Sequence, residues 1–480
     1  LAFYAKPSGV AAAACSGATR SLSSSLALIA AAAAVFAPSS AATSAYISAP
    51  VHMRESLNDW LAYLEAMHPV AIEMGLERVA AVGARLDLHF ECPVMTVGGT
   101  NGKGSTCAML ESMLMQGSYK VGLYTSPHII HFNERARIDG QSVSDDALCA
   151  AFAAVEAVRD NVSLTYFECT TLAILKLFAD AKLDVVILEV GLGGRLDAVN
   201  IVDPDVAIVT SVDLDHQQYL GDTREQIGFE KAGIFRPQRA AICSDPAAPP
   251  SLVAHAEAIG ADLWLIGRDF SYAGDRQQWS YQGRAVRRHA LAYPSLRGAN
   301  QLLNASAALA ALEVLRERLP LGAQEIRAGL VLVELPARFQ VLPGRPAVIL
   351  DVAHNPHAAA TLAQNLDQMG FYPYTHAVFG AMADKDIGGI LAHLKDRIDH
   401  WYCCDLPLPR AATAASLASA LEQAGCGASA EAGAERSVQC FKTPADAYAA
   451  ARDRMSENDR IIVFGSFFTV AGVMAARATR

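Results

Sequence analysis

The chain has 480 residues, a formal net charge of −10 and 52% hydrophobic residues. This length predicts two domains, and a charged fraction of only 18% excludes a largely disordered chain. The acidic balance argues against a nucleic-acid-binding protein, which normally carries a basic face. Ten cysteines without a C-x-x-C spacing indicate neither a disulfide framework nor zinc, and they suit the cytoplasm, where thiols stay reduced.

The first 52 residues differ from the rest of the chain. They are rich in Ala and Ser and contain an apolar run from Leu26 to Ala37. The run resembles a secretory signal, but it is too short for a bilayer, which needs about 20 apolar residues. Helical spacing of apolar residues begins just after Met53. We therefore interpret residues 1–52 as an extension that is not part of the fold.

From residue 94 onward, short apolar runs alternate with helical patterns, which is typical of a parallel sheet flanked by helices. The runs Val94–Val97, Asp184–Val190 and Val206–Val212 are predicted strands, and Ser105–Gln116 is a predicted helix. Ligands of such sheets bind at the carboxyl ends of the strands. Pro and Gly residues between 334 and 346 predict a linker, and α/β alternation resumes beyond it.

Residues 95–106 read MTVGGTNGKGST and follow the first predicted strand. The order of strand, glycines, lysine, hydroxyl and helix directs backbone N–H groups at a phosphate. The spacing differs from G-x-x-x-x-G-K-[ST], because Gly104 separates Lys103 from Ser105. We predict nucleotide binding at this loop; the alternative is an ordinary glycine-rich turn.

Polar residues follow three of the predicted strands. Glu189 ends one of them, His216 follows the next, and Ser126 comes after the apolar run 121–124. A carboxylate at a strand end is a common magnesium ligand near phosphates. Taken alone, a buried glutamate at a strand end is as often a structural residue, and a single histidine is usually one. The three residues together predict a metal site at this edge of the sheet.

A set of longer motifs resembles the folylpolyglutamate synthase and dihydrofolate synthase family, within the Mur ligase superfamily. In chain order the motifs are GTNGKGS, TSPHIIHFNERARIDG, TYFE, ILEVGLGGRLDAVN, DHQQYLG, EKAGIF, PARFQ and DVAHNPH. The resemblance implies an α/β fold with a P-loop-type Mur ligase central domain and a smaller Rossmann-like C-terminal α/β domain. We predict an ATP-binding Mur ligase-like domain at 53–336, a linker at 337–346 and a glutamate ligase domain at 347–480.

The resemblance also implies an activity. Members of the family are ATP-dependent amide ligases that phosphorylate a substrate carboxylate and then join it to L-glutamate. LTYFE (164–168), RLDA (195–198) and LPLPRAAT (406–413) are similar to the bifunctional bacterial enzymes. We therefore predict synthesis of dihydrofolate from 7,8-dihydropteroate and addition of glutamate to reduced folates. The alternatives are a monofunctional folylpolyglutamate synthase, another Mur-type amino-acid ligase, or a nucleotide-binding regulatory protein without ligase chemistry.

The resemblance assigns roles to individual residues. ATP would be bound by Gly102, Lys103, Gly104, Ser105, Asn304, Arg338 and Asp351. Mg²⁺ would be bound by Ser126, Glu189 and His216. The catalytic set would be Lys103, His354 and Lys231, the last of these carbamylated by CO₂. The folate substrate would be bound by Ala66, Met67, His68, Pro69, Thr165, Tyr166, Phe167, Glu168, Leu196, Asp197 and Ala198. We expect a cytoplasmic monomer that binds small molecules and neither nucleic acid nor a membrane.

Overall fold

The structure, a computed structural model, describes residues 54–70, 72–275, 277–426 and 436–478. The predicted extension at 1–52 lies outside the described residues. The described chain contains two separate, mainly parallel sheets, and a small antiparallel sheet packs beside the first. No helix within the described ranges is both long enough and apolar enough to cross a membrane.

The first sheet has eight strands in the order β4-β3-β2-β5-β1-β6-β7-β8. They are β1 (Val94–Gly98), β2 (Val121–Tyr124), β3 (Ala136–Ile138), β4 (Gln141–Ser142), β5 (Val185–Glu189), β6 (Val206–Val209), β7 (Ala240–Cys243) and β8 (Asp262–Leu265). All pairs are parallel except those of β3 and β4 at one edge. Every residue of β1, β5 and β6 is buried, which explains their continuous apolar runs.

Helices cover both faces of the first sheet. They are Leu57–Met67, Glu77–Gly83, Lys103–Gln116, Asp145–Arg159, Tyr166–Asp180, Gln217–Leu220, Arg224–Ala232, Pro250–Ile259, Gln301–Val314 and Ala323–Leu332. The helix after β1 packs with the last two of these to form one core. The small sheet, which adjoins that core, consists of β9 (Ser271–Gly274), β10 (Trp279–Gln282) and β11 (Arg287–Leu291).

The second sheet has six strands in the order β12-β13-β17-β14-β15-β16. They are β12 (Gln340–Leu342), β13 (Ala347–Leu350), β14 (Thr375–Phe379), β15 (His400–Cys404), β16 (Ser437–Phe441) and β17 (Arg460–Phe464). Its helices are Pro356–Gln368, Ile387–Leu394, Ala414–Gln423, Pro444–Arg454 and Phe467–Ala478. Apolar clusters fill both faces of this sheet. The two α/β units agree with the predicted fold class.

Strand β12 lies inside the segment predicted as a linker. It pairs antiparallel with β13, and its apolar residues Val341 and Leu342 pack against the two cores of the second unit. Residues 340–342 are therefore part of the second sheet, although the surrounding Pro and Gly residues indicated an irregular connection. The chain that joins the two units without belonging to either sheet is correspondingly short, from residue 333 to 339.

Candidate active site

A cavity of about 1010 Å³ lies between the two α/β units and is lined by residues of both. Every residue that the sequence assigned to ATP, to the metal or to catalysis lines this cavity. The twelve residues are Gly102, Lys103, Gly104, Ser105, Ser126, Glu189, His216, Lys231, Asn304, Arg338, Asp351 and His354. The carboxyl ends of β1, β5 and β6 meet at this point, as expected for an open α/β sheet.

The glycine loop between β1 and the following helix forms one wall of the cavity. Gly102 caps the helix in a left-handed conformation with φ of 91°. A Cβ atom on Gly102 would lie 2.5 Å from Oδ1 of Asn304, so this position requires glycine. The Nζ atom of Lys103 donates to the carbonyl oxygens of Gly99 and Thr100 at 3.0 and 3.3 Å. The helix N-terminus and this ammonium group together favour a bound anion.

The tip of the glycine loop contacts the second unit directly. Nδ2 of Asn101 lies 2.8 Å from Nδ1 of His357 and 3.3 Å from Oδ1 of Asn355. Asn355 caps the helix Pro356–Gln368 by accepting from the backbone N–H of Ala358. The nucleotide loop is thus tied to a helix start more than 250 residues further along the chain. No local pattern in the sequence indicates this contact.

The predicted metal ligands Ser126 and Glu189 are neighbours. The backbone N–H of Ser126 donates to Oε2 of Glu189 at 3.1 Å, and Glu189 is only 4% exposed. Burial raises the pKa of Glu189, although the charge of Lys103 opposes that effect. His216 stands in a left-handed conformation with φ of 51°, and burial lowers its pKa to about 4. The imidazole is therefore neutral at pH 7, which is the form that binds metals.

The donor set suits Mg²⁺ rather than a metal held by protein atoms alone. No three His, Cys, Asp or Glu side chains cluster as a metal cage within the described residues. Mg²⁺ usually takes one or two carboxylates and completes its octahedron with waters and substrate phosphates. A buried carboxylate beside a serine and a phosphate loop fits that pattern.

Asp215 joins the two units beside the predicted metal ligand. Its carboxylate oxygens lie 2.6 Å from Nζ of Lys385, 3.1 Å from Nδ2 of Asn355 and 3.6 Å from Nε2 of His354. Burial alone would raise its pKa, but His354, His216 and Lys385 hold the pKa of Asp215 well below its usual range. Asp215 is therefore ionised and surrounded by donors from the second unit. Asp215 is the first residue of the DHQQYLG motif, and the sequence assigned it no role.

Lys231 is a buried lysine on the helix Arg224–Ala232. It is 3% exposed, and its amine makes no hydrogen bond or ion pair within the part of the chain that the structure describes. Burial, together with the charge of Lys103, lowers the pKa of Lys231 to about 7. A large fraction of this amine is therefore uncharged near neutral pH, unlike an ordinary surface lysine.

Arg338 and Asp351 lie close together at the junction of the two units. The carboxylate of Asp351 accepts from the backbone N–H groups of Phe339 and Ala353 at 2.9 and 2.7 Å. Burial raises the pKa of Asp351, and these two hydrogen bonds oppose that effect. The guanidinium of Arg338 lies 5.1 Å from the ring centre of Phe467. Asp351 thus fixes the backbone next to Arg338.

The residues predicted to bind the folate substrate do not line this cavity. Two of them are instead engaged at the start of the helix Tyr166–Asp180, where Thr165 and Glu168 form a reciprocal capping box. Glu168 also pairs with Arg78 at 3.1 Å. Arg78 in turn pairs with Glu73. The carboxylate of Glu73 lies 3.1 Å from Nε2 of His68.

This chain of contacts brings the predicted segments 66–69 and 165–168 together beside the cavity rather than in its lining. The ring of Phe167 packs on Gly191, which does line the cavity. Asp197, from the third predicted segment, accepts from the backbone N–H groups of Leu192 and Val199 at 2.7 and 3.0 Å. Burial raises its pKa to about 6. Asp197 therefore shapes the glycine turn after β5. Tyr166 and Leu196 are half-buried, and Ala198 is buried.

Arg135 and His128 line the cavity but were not predicted as site residues. Nε of Arg135 donates to Nδ1 of His128 at 2.9 Å, and burial lowers the pKa of His128 to about 3. Arg135 is 8% exposed and forms no ion pair within the described residues. A buried guanidinium without a carboxylate partner is available to a ligand carboxylate. The sequence did contain a signal for Arg135, because this residue lies in the NERARIDG part of a motif that carries the family resemblance.

Comparisons with known proteins agree with this geometry. A profile of the Mur ligase middle domain matches residues 97–312, and one of the Mur ligase glutamate ligase domain matches 337–467. The chain is 46% identical to the dihydrofolate synthase/folylpolyglutamate synthase of Escherichia coli, over 87% of this chain and 94% of that protein.

Two solved structures are also similar. E. coli FolC in complex with DHPP and ADP has a TM-score of 0.83 at 45% identity, covering 89% of this chain and 98% of that one. A bifunctional folylpolyglutamate synthase/dihydrofolate synthase with Mn, AMPPNP and L-glutamate bound has a TM-score of 0.80 at 44% identity, covering 88% of this chain and 98% of that one.

The first unit matches the Mur ligase middle domain and the second matches the Mur ligase glutamate ligase domain, so the chain belongs to the Mur ligases, a class of ATP-dependent enzymes. Within that class, the chain belongs to the dihydrofolate synthase/folylpolyglutamate synthase family. The family, the fold class and the ligase activity predicted from the sequence are thereby confirmed.

Proposed function

We propose that this chain is a bifunctional ligase that uses ATP to join L-glutamate to 7,8-dihydropteroate, giving dihydrofolate, and to reduced folates, giving folylpolyglutamates. One observation carries the proposal: the glycine loop, the predicted metal ligands and residues of the glutamate ligase domain all line a single cavity. Relatives with about 45% identity have been solved with DHPP and ADP, and with Mn, AMPPNP and L-glutamate. These ligands match the proposed reactants.

The chemistry proceeds through an acyl phosphate. A carboxylate oxygen of the folate substrate attacks the γ-phosphorus of ATP, and ADP leaves. The amino group of glutamate then attacks the acyl carbon, phosphate leaves with the C–O bond electrons, and the nitrogen loses a proton. The first step activates a carboxylate that is otherwise a poor acyl donor. Charge repulsion between two anions must be offset in this step, and Lys103 together with the helix N-terminus supplies positive charge there.

We assign Mg²⁺ to Ser126, Glu189 and His216, where it would offset phosphate charge when bound. We assign the nucleotide to Gly102, Lys103, Gly104, Ser105, Asn304, Arg338 and Asp351. For Asp351 the hydrogen bonds support an indirect role, because both oxygens already accept from the backbone. His354 faces Asp215 across the domain junction and is placed to orient the reacting groups.

We propose that Lys231 is carbamylated. The neutral amine attacks CO₂, forms an N–C bond and releases one proton, which leaves a carboxylate on the side chain. Burial of Lys231 and its lowered pKa favour the reactive neutral amine. An ammonium group at this place would repel Mg²⁺, whereas a carbamate would attract it or its waters.

The folate substrate is assigned to the wall formed by Phe167 and the turn after β5, next to Arg135. Phe167 offers an aromatic face, and Arg135 offers a guanidinium that forms no ion pair within the described residues. Dihydropteroate has a flat ring system and a carboxylate, which such groups can bind. Among the predicted residues, Phe167 packs on the lining residue Gly191, and 66–69, 165, 166, 168 and 196–198 lie outside the cavity lining.

A purified-protein assay tests the function. Dihydropteroate and tetrahydrofolate are offered separately with ATP, Mg²⁺ and glutamate, and products are identified by mass. We expect a gain of one glutamate residue on each substrate and release of one ADP per bond. ADP release without glutamate transfer would contradict ligase activity, and activity on tetrahydrofolate alone would favour the monofunctional alternative.

A further inference from the structure

The active-site cavity carries positive charge that the proposed reaction centre does not use. Five arginines line it: Arg135, Arg224, Arg297, Arg338 and Arg410. Arg224 pairs with Asp245 at 3.0 Å, and Arg135 donates to His128. Arg297 and Arg410 differ from these, because their side chains make no hydrogen bond and no ion pair within the described ranges. Both are exposed to solvent.

Arg297 comes from the first domain, on the loop that precedes the helix Gln301–Val314. This loop is fixed at the domain junction by two hydrogen bonds. The backbone N–H of Ala299 donates to Oδ1 of Asn365 at 3.1 Å, and Nδ2 of Asn300 donates to Oγ1 of Thr361 at 3.2 Å. Arg297 is therefore carried on an ordered backbone at the point where the two domains meet.

Arg410 comes from the second domain, on the loop after β15. Its carbonyl oxygen accepts from the backbone N–H of Ala383 at 3.0 Å, and Ala411 forms a β-bridge with Met382. Met382 and the neighbouring Leu408 also line the cavity. The second unpaired guanidinium is thus also held on a fixed loop, and it faces the same cavity from the opposite domain.

The proposed product carries negative charges that the guanidinium groups of Arg297 and Arg410 can bind. Glutamate has two carboxylates, and forming an amide at one of them leaves the other ionised. A folate with several glutamates therefore carries one negative charge for each internal glutamate and two on the last. Since the chain as a whole carries a net charge of −10, such a tail needs local positive groups to lie against the protein.

We propose that Arg297 and Arg410 form a subsite for the carboxylates of the glutamate tail of a folate substrate. This inference rests on the proposed function and adds to it the residues that favour a substrate with a tail. Dihydropteroate has no glutamate and does not use the subsite. Each exposed guanidinium–carboxylate contact contributes modestly, so the preference grows with the number of glutamates bound.

The test compares three substrates in the same enzyme: dihydropteroate, tetrahydrofolate with one glutamate and tetrahydrofolate with three. In the double variant Arg297→Gln/Arg410→Gln, we expect KM for the triglutamate to rise about five- to tenfold. KM for dihydropteroate and kcat for all three should stay within twofold of wild type. Arg287→Gln, an exposed arginine on β11 outside the cavity, is the matched control.

Two results would overturn the subsite. Unchanged KM for the triglutamate in the double variant would show that the tail lies elsewhere, and an equal rise for dihydropteroate would show a general effect on the site. Equilibrium dialysis of the two tetrahydrofolates measures the same preference without turnover. A wild-type enzyme that fails to extend tetrahydrofolate but binds the triglutamate through these arginines would refute part of the proposed function and leave the subsite standing.

Discussion

Lys385 and Asp215 form a buried ion pair, with Nζ 2.6 Å from Oδ1, that joins the glutamate ligase domain to the loop carrying His216. The side chains are 9% and 10% exposed. Because 170 residues separate them in the chain, the contact exists only when the two domains meet. Formation of the reaction site and closure of the domains are therefore linked through this pair.

The pair predicts non-additive kinetics. We expect Lys385→Met and Asp215→Asn each to lower kcat/KM, and the double variant to lose less than the sum of the two. The coupling should be about 1–3 kcal/mol, because removing one partner leaves the other charge buried and unpaired. Steady-state rates of wild type, the two single variants and the double variant give this coupling energy as a double-mutant cycle. Strict additivity would show that the contact does not matter for closure.

Lys103→Ala should abolish dihydrofolate synthesis and glutamate addition together. The described chain carries one glycine loop of this kind, and both reactions need phosphate transfer at it. A loss on the order of 100-fold or more is expected for removal of such an electrostatic group. Thermal unfolding should change little, since the ammonium only donates to two loop carbonyls. Retention of either reaction would require a second nucleotide site.

Glu189→Gln should remove most turnover, since the amide cannot replace an ionised oxygen ligand for Mg²⁺. Rates are measured over a titration of Mg²⁺, and circular dichroism checks the fold. Glu111→Gln changes another buried carboxylate, one that pairs with Arg137 away from the cavity, and should keep the rate per folded molecule. Wild-type turnover of the Glu189 variant at low Mg²⁺ would refute the metal role.

Lys231→Ala should be nearly inactive, and acetate or propionate should restore part of the rate by replacing the missing carboxylate. Lys176→Ala removes a half-buried lysine that pairs with Asp180; it is the control and should need no rescue. In wild type, ¹³CO₂ should give a carbamate signal in ¹³C NMR that the Lys231 variant lacks. A high-resolution density map with an unmodified amine pointing away from the metal would rule out the carbamate.

We predict that the free energy of unfolding decreases in acid because of a histidine far from the cavity. Nε2 of His376 lies 3.8 Å from Oδ2 of Asp459, and both residues are buried. Burial, assisted by His400 and Arg454, lowers the pKa of His376 to about 4, although Asp459 opposes the shift. Since the unfolded chain titrates near 6.5, stability is fully present above that pH and falls as the pH drops toward 4.

From pH 7 to pH 5 we expect a loss of about 2 kcal/mol from this residue. Urea unfolding at the two pH values measures it, and His376→Gln should show a smaller difference between them. His393→Gln, on the last turn of the helix Ile387–Leu394, is the control and should keep the wild-type difference. An identical pH dependence in the His376 variant would assign the effect to other groups.

The sequence predicted those parts of the site that local pattern determines. Glu189 and Ser126 follow buried apolar runs, and a strand end in a parallel sheet places such residues at the ligand edge. Arg135 was missed because it lies among other charged residues, and only the tight turn Phe132–Arg135 buries it. Lys385 was missed because its partner lies in another domain, where no local pattern reports it.

The substrate wall illustrates competition between two interpretations of one motif. Thr165 and Glu168 fit both a family substrate motif and the [ST]-x-x-[DE] capping box, and the structure shows the capping box. The predicted start of the second domain depended on a similar choice between two interpretations. Pro343 and Gly344 suggested an irregular linker, whereas Val341 and Leu342 just before them supply a strand.

Ala337 and Phe339, on either side of Arg338, have φ of 60° and 47°, a conformation that costs non-glycine residues on the order of 1 kcal/mol. Asp351 holds this winding by accepting from the N–H of Phe339. A variant such as Asp351→Ala would therefore let the backbone unwind and carry Arg338 out of the cavity. Weaker nucleotide binding by that variant would result from the displaced arginine and not from a lost contact of Asp351 with the nucleotide. A separate measurement on Arg338→Ala is therefore needed. With it, a mutational scan can distinguish residues that bind the ligand from residues that hold them in place.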